Sequence, residues 1–184
     1  MDMKLYHGSD TAIEQPDVSF NKGFSDLGQG FYLTDDHGVA TARARSRARM
    51  TGAAEGVVSV FEFDESPIDW AVWSEKGPAF PAGLSHDGTA PFGLKFTADQ
   101  AGIIAWIDYI GSCRAGQTAA PGLGEPAIVR AWIATEEVEM ACSGLVSAED
   151  LAGFIDPASL VVQYCFRSQE TLDQLLTFSH AERA

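Results

Sequence analysis

Asp26-Leu27-Gly28-Gln29-Gly30-Phe31-Tyr32-Leu33-Thr34 is the stretch on which the fold turns, because it joins a permissive backbone to an aromatic strand and then to a helix start. Lacking a Cβ, Gly28 and Gly30 can take positive φ or let another group come close to the main chain. Phe31-Tyr32-Leu33 reads as a short strand, with Phe31 and Leu33 on one face and Tyr32 alone on the other. The side-chain oxygens of Thr34-Asp35-Asp36 can cap a helix, which is expected to run to about Met50. Along it Ala40, Ala44 and Ala48 recur at four-residue spacing, a seam of small side chains that would let the helix lie close against a sheet.

Two further stretches carry polar groups in strand-like surroundings. Leu5-Tyr6-His7-Gly8-Ser9 ends a strand in an imidazole, a glycine with unshielded backbone groups and a hydroxyl. Leu160-Val161-Val162-Gln163-Tyr164-Cys165-Phe166 is an apolar strand broken by one amide, Gln163. Taken singly, these residues have ordinary uses: a strand Tyr is half-buried core, a strand-end His satisfies local hydrogen bonds, and a lone Gln bonds a neighbouring loop.

In this order, however, His-Gly-Ser, Asp-x-Gly-x-Gly-Phe-Tyr-Leu-Thr and a late strand bearing Gln-x-Cys-Phe resemble the diphtheria-toxin-like ADP-ribosyltransferases with a His-Tyr-Glu triad. Within that group the chain looks most like a bacterial family of uncharacterised domains in which Gln commonly takes the Glu place. The resemblance covers residues 4–63 and 127–178 and leaves the middle unmatched. It implies an α+β, ADP-ribosyltransferase-like fold of two small packed sheets with an NAD cleft between them. NAD would be the co-substrate. The resemblance puts His7, Tyr32 and Gln163 in the triad, and His7, Gly8, Ser9, Gly30, Phe31 and Tyr32 around the dinucleotide. Gly8 backbone groups would pair the nicotinamide amide, His7 would bond a ribose hydroxyl, Tyr32 would stack on the nicotinamide ring, and Ser9 would help near the ribose.

Gln163 is the departure. Breaking the nicotinamide–ribose bond produces a flat, oxocarbenium-like sugar, as in glycoside hydrolysis. A Glu in the triad bonds the ribose 2′-hydroxyl and can take the acceptor's proton; an amide can bond the hydroxyl but has no basic oxygen. Either the acceptor needs no strong base, or a carboxylate such as Asp26 or Glu170 supplies one. Three functions follow. The first is a mono-ADP-ribosyltransferase, a bacterial toxin or effector modifying a protein, with an antitoxin or immunity protein as a further partner. The others are an NAD glycohydrolase and a non-catalytic NAD-binding module.

Composition bounds these choices. The chain has 184 residues, 46% hydrophobic and 21% charged, the size and make-up of one globular domain spanning 1–184. No run is apolar enough to cross a bilayer, and the start lacks a signal-peptide core, so a cytoplasmic protein is expected, with delivery into another cell by a route lacking such a signal left open. Cys113, Cys142 and Cys165 are odd in number and unpaired in spacing, and neither they nor the four His have ligand spacing, so neither a disulfide framework nor a metal is expected. A net charge of -14 repels polyanions and disfavours nucleic acid. Against it, Arg43, Arg45, Arg47 and Arg49 concentrate a third of the 12 basic residues. They can contact pyrophosphate or an acidic target, but a solvated helix is the favoured reading, because an anion would more naturally meet a helix N-terminus.

The remaining elements follow from pattern. Strands are expected over 56–63, 67–73 and 127–133, and an irregular, Pro- and Gly-rich insertion over about 75–126, interrupted by a helix that Thr97 opens. Short helices are expected over 136–142 and 148–155, then the Gln163 strand closing the sheet, then a last helix capped by Ser168 and running through Leu176. With no regular βαβ alternation, the class is α+β with mixed or antiparallel sheets.

Overall fold

The computed structural model describes residues 3–20, 25–74, 76–80, 90–117 and 125–184. Residues 21–24 of the first loop, 81–89 of the insertion and 118–124 of the Gly/Pro linker lie outside the described residues, and with them those parts of the sequence expectation. The chain forms β1 (Met3–Ser9), β2 (Phe31–Thr34), α1 (His37–Thr51), β3 (Val57–Phe63), β4 (Asp69–Ser74), β5 (Gly77–Ala79), β6 (Phe92–Phe96) and α2 (Gln100–Arg114). Then come β7 (Ile128–Trp132), α3 (Glu136–Cys142), α4 (Ala148–Ala152), β8 (Val162–Phe166), α5 (Gln169–Leu175) and β9 (Leu176–Arg183). The class is α+β, and the strands are hydrogen-bonded in the order β5-β4-β6-β7-β8-β2-β1-β3-β9. Among the described residues only β4–β6 and β6–β7 are parallel.

The two separate sheets implied by the resemblance are therefore one continuous sheet, but it is folded. β1 and β2 meet in register only at Tyr6 and Thr34, whereas β1 pairs with β3 over seven residues. In a flat sheet β3 and β8, three places apart, would be about 14 Å from each other. Instead the Phe63 ring lies 5.6 Å from Tyr164 and 5.5 Å from Phe166, and Phe31 lies 5.9 Å from Phe61. The half containing β1, β3 and β9 has turned over the half containing β2 and β8, with the crease at the single β1–β2 bridge. Leu5, Phe31, Leu33, Phe61, Phe63, Tyr164 and Phe166 fill the space between, joined by Leu172 and Leu175 of α5.

Helices cover the outer faces. The α1 seam is as the spacing predicts: Ala40, Ala44 and Ala48 are buried, and Asp36 caps the helix by accepting the Val39 N–H at 2.9 Å. On the other half, α2 lays Ile103, Trp106, Ile107 and Ile110 against β6 and β7, with α3 and α4 beside it.

Four expectations change. The Gln163 strand does not close the sheet; it lies inside it, between β7 and β2. The last helix stops at Leu175, and residues 176–183 become β9, edge partner of β3. The insertion contributes β6, an interior strand flanked by β4 and β7. The α2 cap is Asp99, which accepts the Gly102 N–H at 2.8 Å while Thr97 bonds its carboxylate. In each case pairing with a distant strand, or a stronger local acceptor, outweighed the local pattern.

Candidate functional site

At the crease, the Gly-x-Gly loop uses its two glycines differently. Gly28 takes the left-handed conformation, φ 83°, and its N–H closes a turn on the Ser25 carbonyl. Gly30 lies against β8, where a Cβ would fall 2.5 Å from the Phe166 carbonyl oxygen and 2.6 Å from the Cys165 sulfur. Tyr32 then points back over the loop. Its hydroxyl donates to the Gly28 carbonyl at 2.6 Å and accepts the Leu27 N–H at 2.9 Å. Burial, with the adjacent Cys165, pushes the phenol pKa up, so it stays a neutral clamp on the loop. Arg114 holds the loop from outside through Asp26, at 2.5 Å.

His7 sits on β1 one residue past the bridge, its ring stacked on Phe31 at 4.6 Å. Its Nδ1 lies 2.7 Å from the Tyr32 carbonyl oxygen. A carbonyl only accepts, so Nδ1 must carry the hydrogen and Nε2 an open lone pair. Burial lowers the His7 pKa more than this bond raises it, and the charges of Arg43 and Arg47 lower it further. His7 is thus a neutral acceptor, held where β2 leaves β1.

The sign of this shift gives a pH prediction. A histidine depressed in the folded state contributes stability that is present above its unfolded value of about 6.5 and is lost as pH falls below it toward the folded value. Wild type should lose up to about 1.4 kcal/mol per pH unit more than His7→Gln within that window. Urea midpoints at half-unit steps from pH 7.5 to 5 check it; parallel curves for the two proteins would refute it.

Gly8 is explained first by packing. A Cβ there would stand 2.0 Å from the Ala40 carbonyl oxygen, so α1 covers one side of a residue expected to be open. Ser9 donates to Asp10 at 3.1 Å. Gln163 is buried and in register with Thr34; its Nε2 donates to the Trp132 carbonyl at 2.9 Å. Among the described residues its Oε1 makes no hydrogen bond, and it is not one of the fully buried atoms left without a partner.

The three triad positions therefore lie on β1, β2 and β8 beside the crease, but their side chains do not all point one way. By strand alternation Tyr32 and Gln163 share the outer face with Cys165, while His7 lies on the inner face with Leu5 and Phe31. None of the three lines either of two surface hollows: one between α2 and α4 at Asp108, Cys142 and Glu149, the other over Phe61, Leu172 and Phe178. Of the carboxylates considered as bases, Asp26 is ion-paired with Arg114, and Glu170 stands exposed in the first turn of α5. Neither is hydrogen-bonded to Gln163. Sequence reasoning gave no role to Asp35, an exposed carboxylate directly after Thr34, whose partial desolvation raises its pKa despite Arg130. The only signal was an acidic pair at a helix start, where one carboxylate is enough for the cap. The cysteines are free, and burial pushes Cys165 up to about 12, which removes it as a thiolate.

No helix among the described residues is long and apolar enough to cross a membrane, and no three of their His, Cys, Asp or Glu side chains gather as metal ligands. A family described as a protein of unknown function (DUF3990) matches residues 3–75, less than half of the chain. The matched segment holds His7, Gly8, the Gly-x-Gly loop, Tyr32 and α1, and ends before Gln163. No curated protein and no solved structure matches the chain.

Proposed function

We propose that the crease between β1 and β2 binds NAD and that the protein is an ADP-ribosyltransferase-like enzyme, a toxin or effector that transfers ADP-ribose to a protein. The observation carrying this reading is that His7, Tyr32 and Gln163 fall on β1, β2 and β8 beside the crease, with a neutral His7 fixed by the Tyr32 carbonyl and Gln163 fixed by the Trp132 carbonyl. Ribose offers hydroxyl donors, which a neutral imidazole nitrogen or an amide oxygen accepts without desolvating a charge. Tyr32 contributes through its ring alone, since its hydroxyl holds the loop.

With its nitrogen tied down, Gln163 positions the sugar and takes no proton. The acceptor must therefore arrive already nucleophilic, or give its proton to another group. Asp35 suits that role better than Asp26, because it directly follows Thr34, the register partner of Gln163, whereas Asp26 is engaged by Arg114. The leaving nicotinamide is a cation in the substrate and neutral once released, so holding geometry supplies much of the catalysis.

The test is release of nicotinamide from NAD by the purified protein, together with label transfer from biotinylated NAD into a cell lysate. His7→Ala should lower release by 100-fold or more, on the order of what losing a positioned catalytic group costs. Release without labelling of protein would favour the glycohydrolase, and NAD binding without release the non-catalytic module. No NAD binding would end the reading.

A further inference from the structure

The four arginines of α1 differ from every other arginine in the chain. Arg114 pairs with Asp26, Arg167 with Glu125 and Arg183 with Glu55, while Arg130 bonds the Tyr164 hydroxyl. Arg43, Arg45, Arg47 and Arg49 have no ion pair among the described residues, in a protein with 26 acidic side chains. Arg43/Arg47 and Arg45/Arg49 are also like-charge pairs at four-residue spacing, which weakens a helix. The helix dipole accounts only for Arg49, the one basic residue in the last turn.

Helix geometry separates the two pairs. Gly8 of β1 meets α1 at Ala40 and the Ala44 nitrogen, whereas Gly56, just before β3, meets it at the Ala44 carbonyl and the Arg45 nitrogen. Position 45 thus lies on the β3 side of the seam, and positions 43 and 47 on the opposite side. Because β1 stands between β3 and β2, that opposite side overlooks the crease. The effect of both charges on His7 agrees with this placement. The N-terminus of α1, the more usual seat for an anion, is closed by the Asp36 carboxylate, with Asp35 beside it.

We propose that Arg43 and Arg47 form an anion clamp at the edge of the crease that takes the pyrophosphate of the dinucleotide. The assignment of a dinucleotide rests on the NAD reading above; the clamp itself does not. Two guanidiniums one helical turn apart can each fork onto one phosphate, and a diphosphate presents two side by side. Asp10, held ionised by Thr51 and Ser9 and lying near Arg47, offsets part of that residue's charge. Arg43 is therefore the stronger half of the clamp.

The test is calorimetric titration of the full chain with ADP-ribose, inorganic pyrophosphate and nicotinamide riboside, the last having no phosphate. Arg43→Ala/Arg47→Ala is compared with Arg45→Ala/Arg49→Ala on the other side of the same helix; all four side chains are exposed or half-exposed, so both variants should fold. The first double variant should raise the dissociation constants of ADP-ribose and pyrophosphate about tenfold or more, and the second should leave them within about twofold. Affinity for nicotinamide riboside should be the same in all three proteins. Equal losses in both double variants, no loss in either, or no binding of ADP-ribose and pyrophosphate by wild type would each overturn the clamp. The two ideas fail separately. Pyrophosphate binding that needs Arg43 and Arg47 in a protein that ignores nicotinamide riboside and NAD leaves the clamp and removes the enzyme, and NAD cleavage with unchanged KM in Arg43→Ala/Arg47→Ala does the reverse.

Discussion

Gly8→Ala is expected to destabilise the fold by about 3 kcal/mol or more, a large part of a typical domain's stability. The new Cβ would stand 2.0 Å from the Ala40 carbonyl oxygen, 2.8 Å from the Ala44 nitrogen and 2.9 Å from the Ala40 carbonyl carbon, all backbone atoms that no rotamer change can move aside. Relief requires α1 to lift from β1 by more than an ångström, opening the contact that Ala44, Val58 and Val60 make beneath it. Urea unfolding followed by circular dichroism measures the loss. Gly111→Ala is the control: it lies inside α2 with nothing within 4 Å of its Cβ, and should be neutral or stabilising by up to about 1 kcal/mol. A normal midpoint for Gly8→Ala would mean that the glycine serves a ligand rather than the helix.

The second large effect is at Gln163. Gln163→Glu replaces the N–H that bonds the Trp132 carbonyl with an oxygen, and the residue is only 7% exposed. Two acceptors then face each other in a buried site unless the carboxyl keeps its proton, so burial and the carbonyl push its pKa up. A carboxyl raised in the folded state gives stability that is complete below its unfolded value of about 4.3 and lost as pH rises through the folded one. The variant should therefore be close to wild type near pH 4.5 and about 2–3 kcal/mol less stable at pH 8. This slope is opposite to the one His7 imposes on wild type. Gln163→Met, of similar volume but without a donor, should lose about 1–2 kcal/mol at every pH. Subtracting wild-type unfolding free energies removes the titration of the rest of the chain; a flat difference for Gln163→Glu would show that the amide is not held as described. The same contact makes an acid poorly accommodated here: a carboxylate needs a donor or water at this point, and β7 presents a carbonyl.

The expected pH trends and the proposed clamp share one electrostatic picture of the crease. Burial, with a smaller contribution from Arg43 and Arg47, disfavours a charged His7 and leaves its Nε2 as an acceptor, and the same two charges favour an anion at the edge. An acidic protein of net charge -14 thus keeps a small positive region beside its candidate site. Long-range steering would work against an anionic dinucleotide, so the proposed binding rests on local contacts and is expected to weaken with salt.

Local chemistry alone determined a good part of this protein. The caps at Asp36 and Ser168, the alanine seam of α1, the opposed faces of Phe31 and Tyr32, and strands β3 and β7 all follow from spacing within one turn or one pleat. Tertiary structure decided whatever depends on a distant partner. Residues 176–183 are mostly polar and exposed, and become a strand only because β3 offers them an unpaired edge. The crease, the tautomer of His7, the loop clamp made by the Tyr32 hydroxyl and the amide bond of Gln163 likewise depend on how the chain folds back on itself. The imidazole bond spans 25 residues and the amide bond 31, distances at which side-chain periodicity carries no information, because it reports which face a residue takes and not which carbonyl it will meet there.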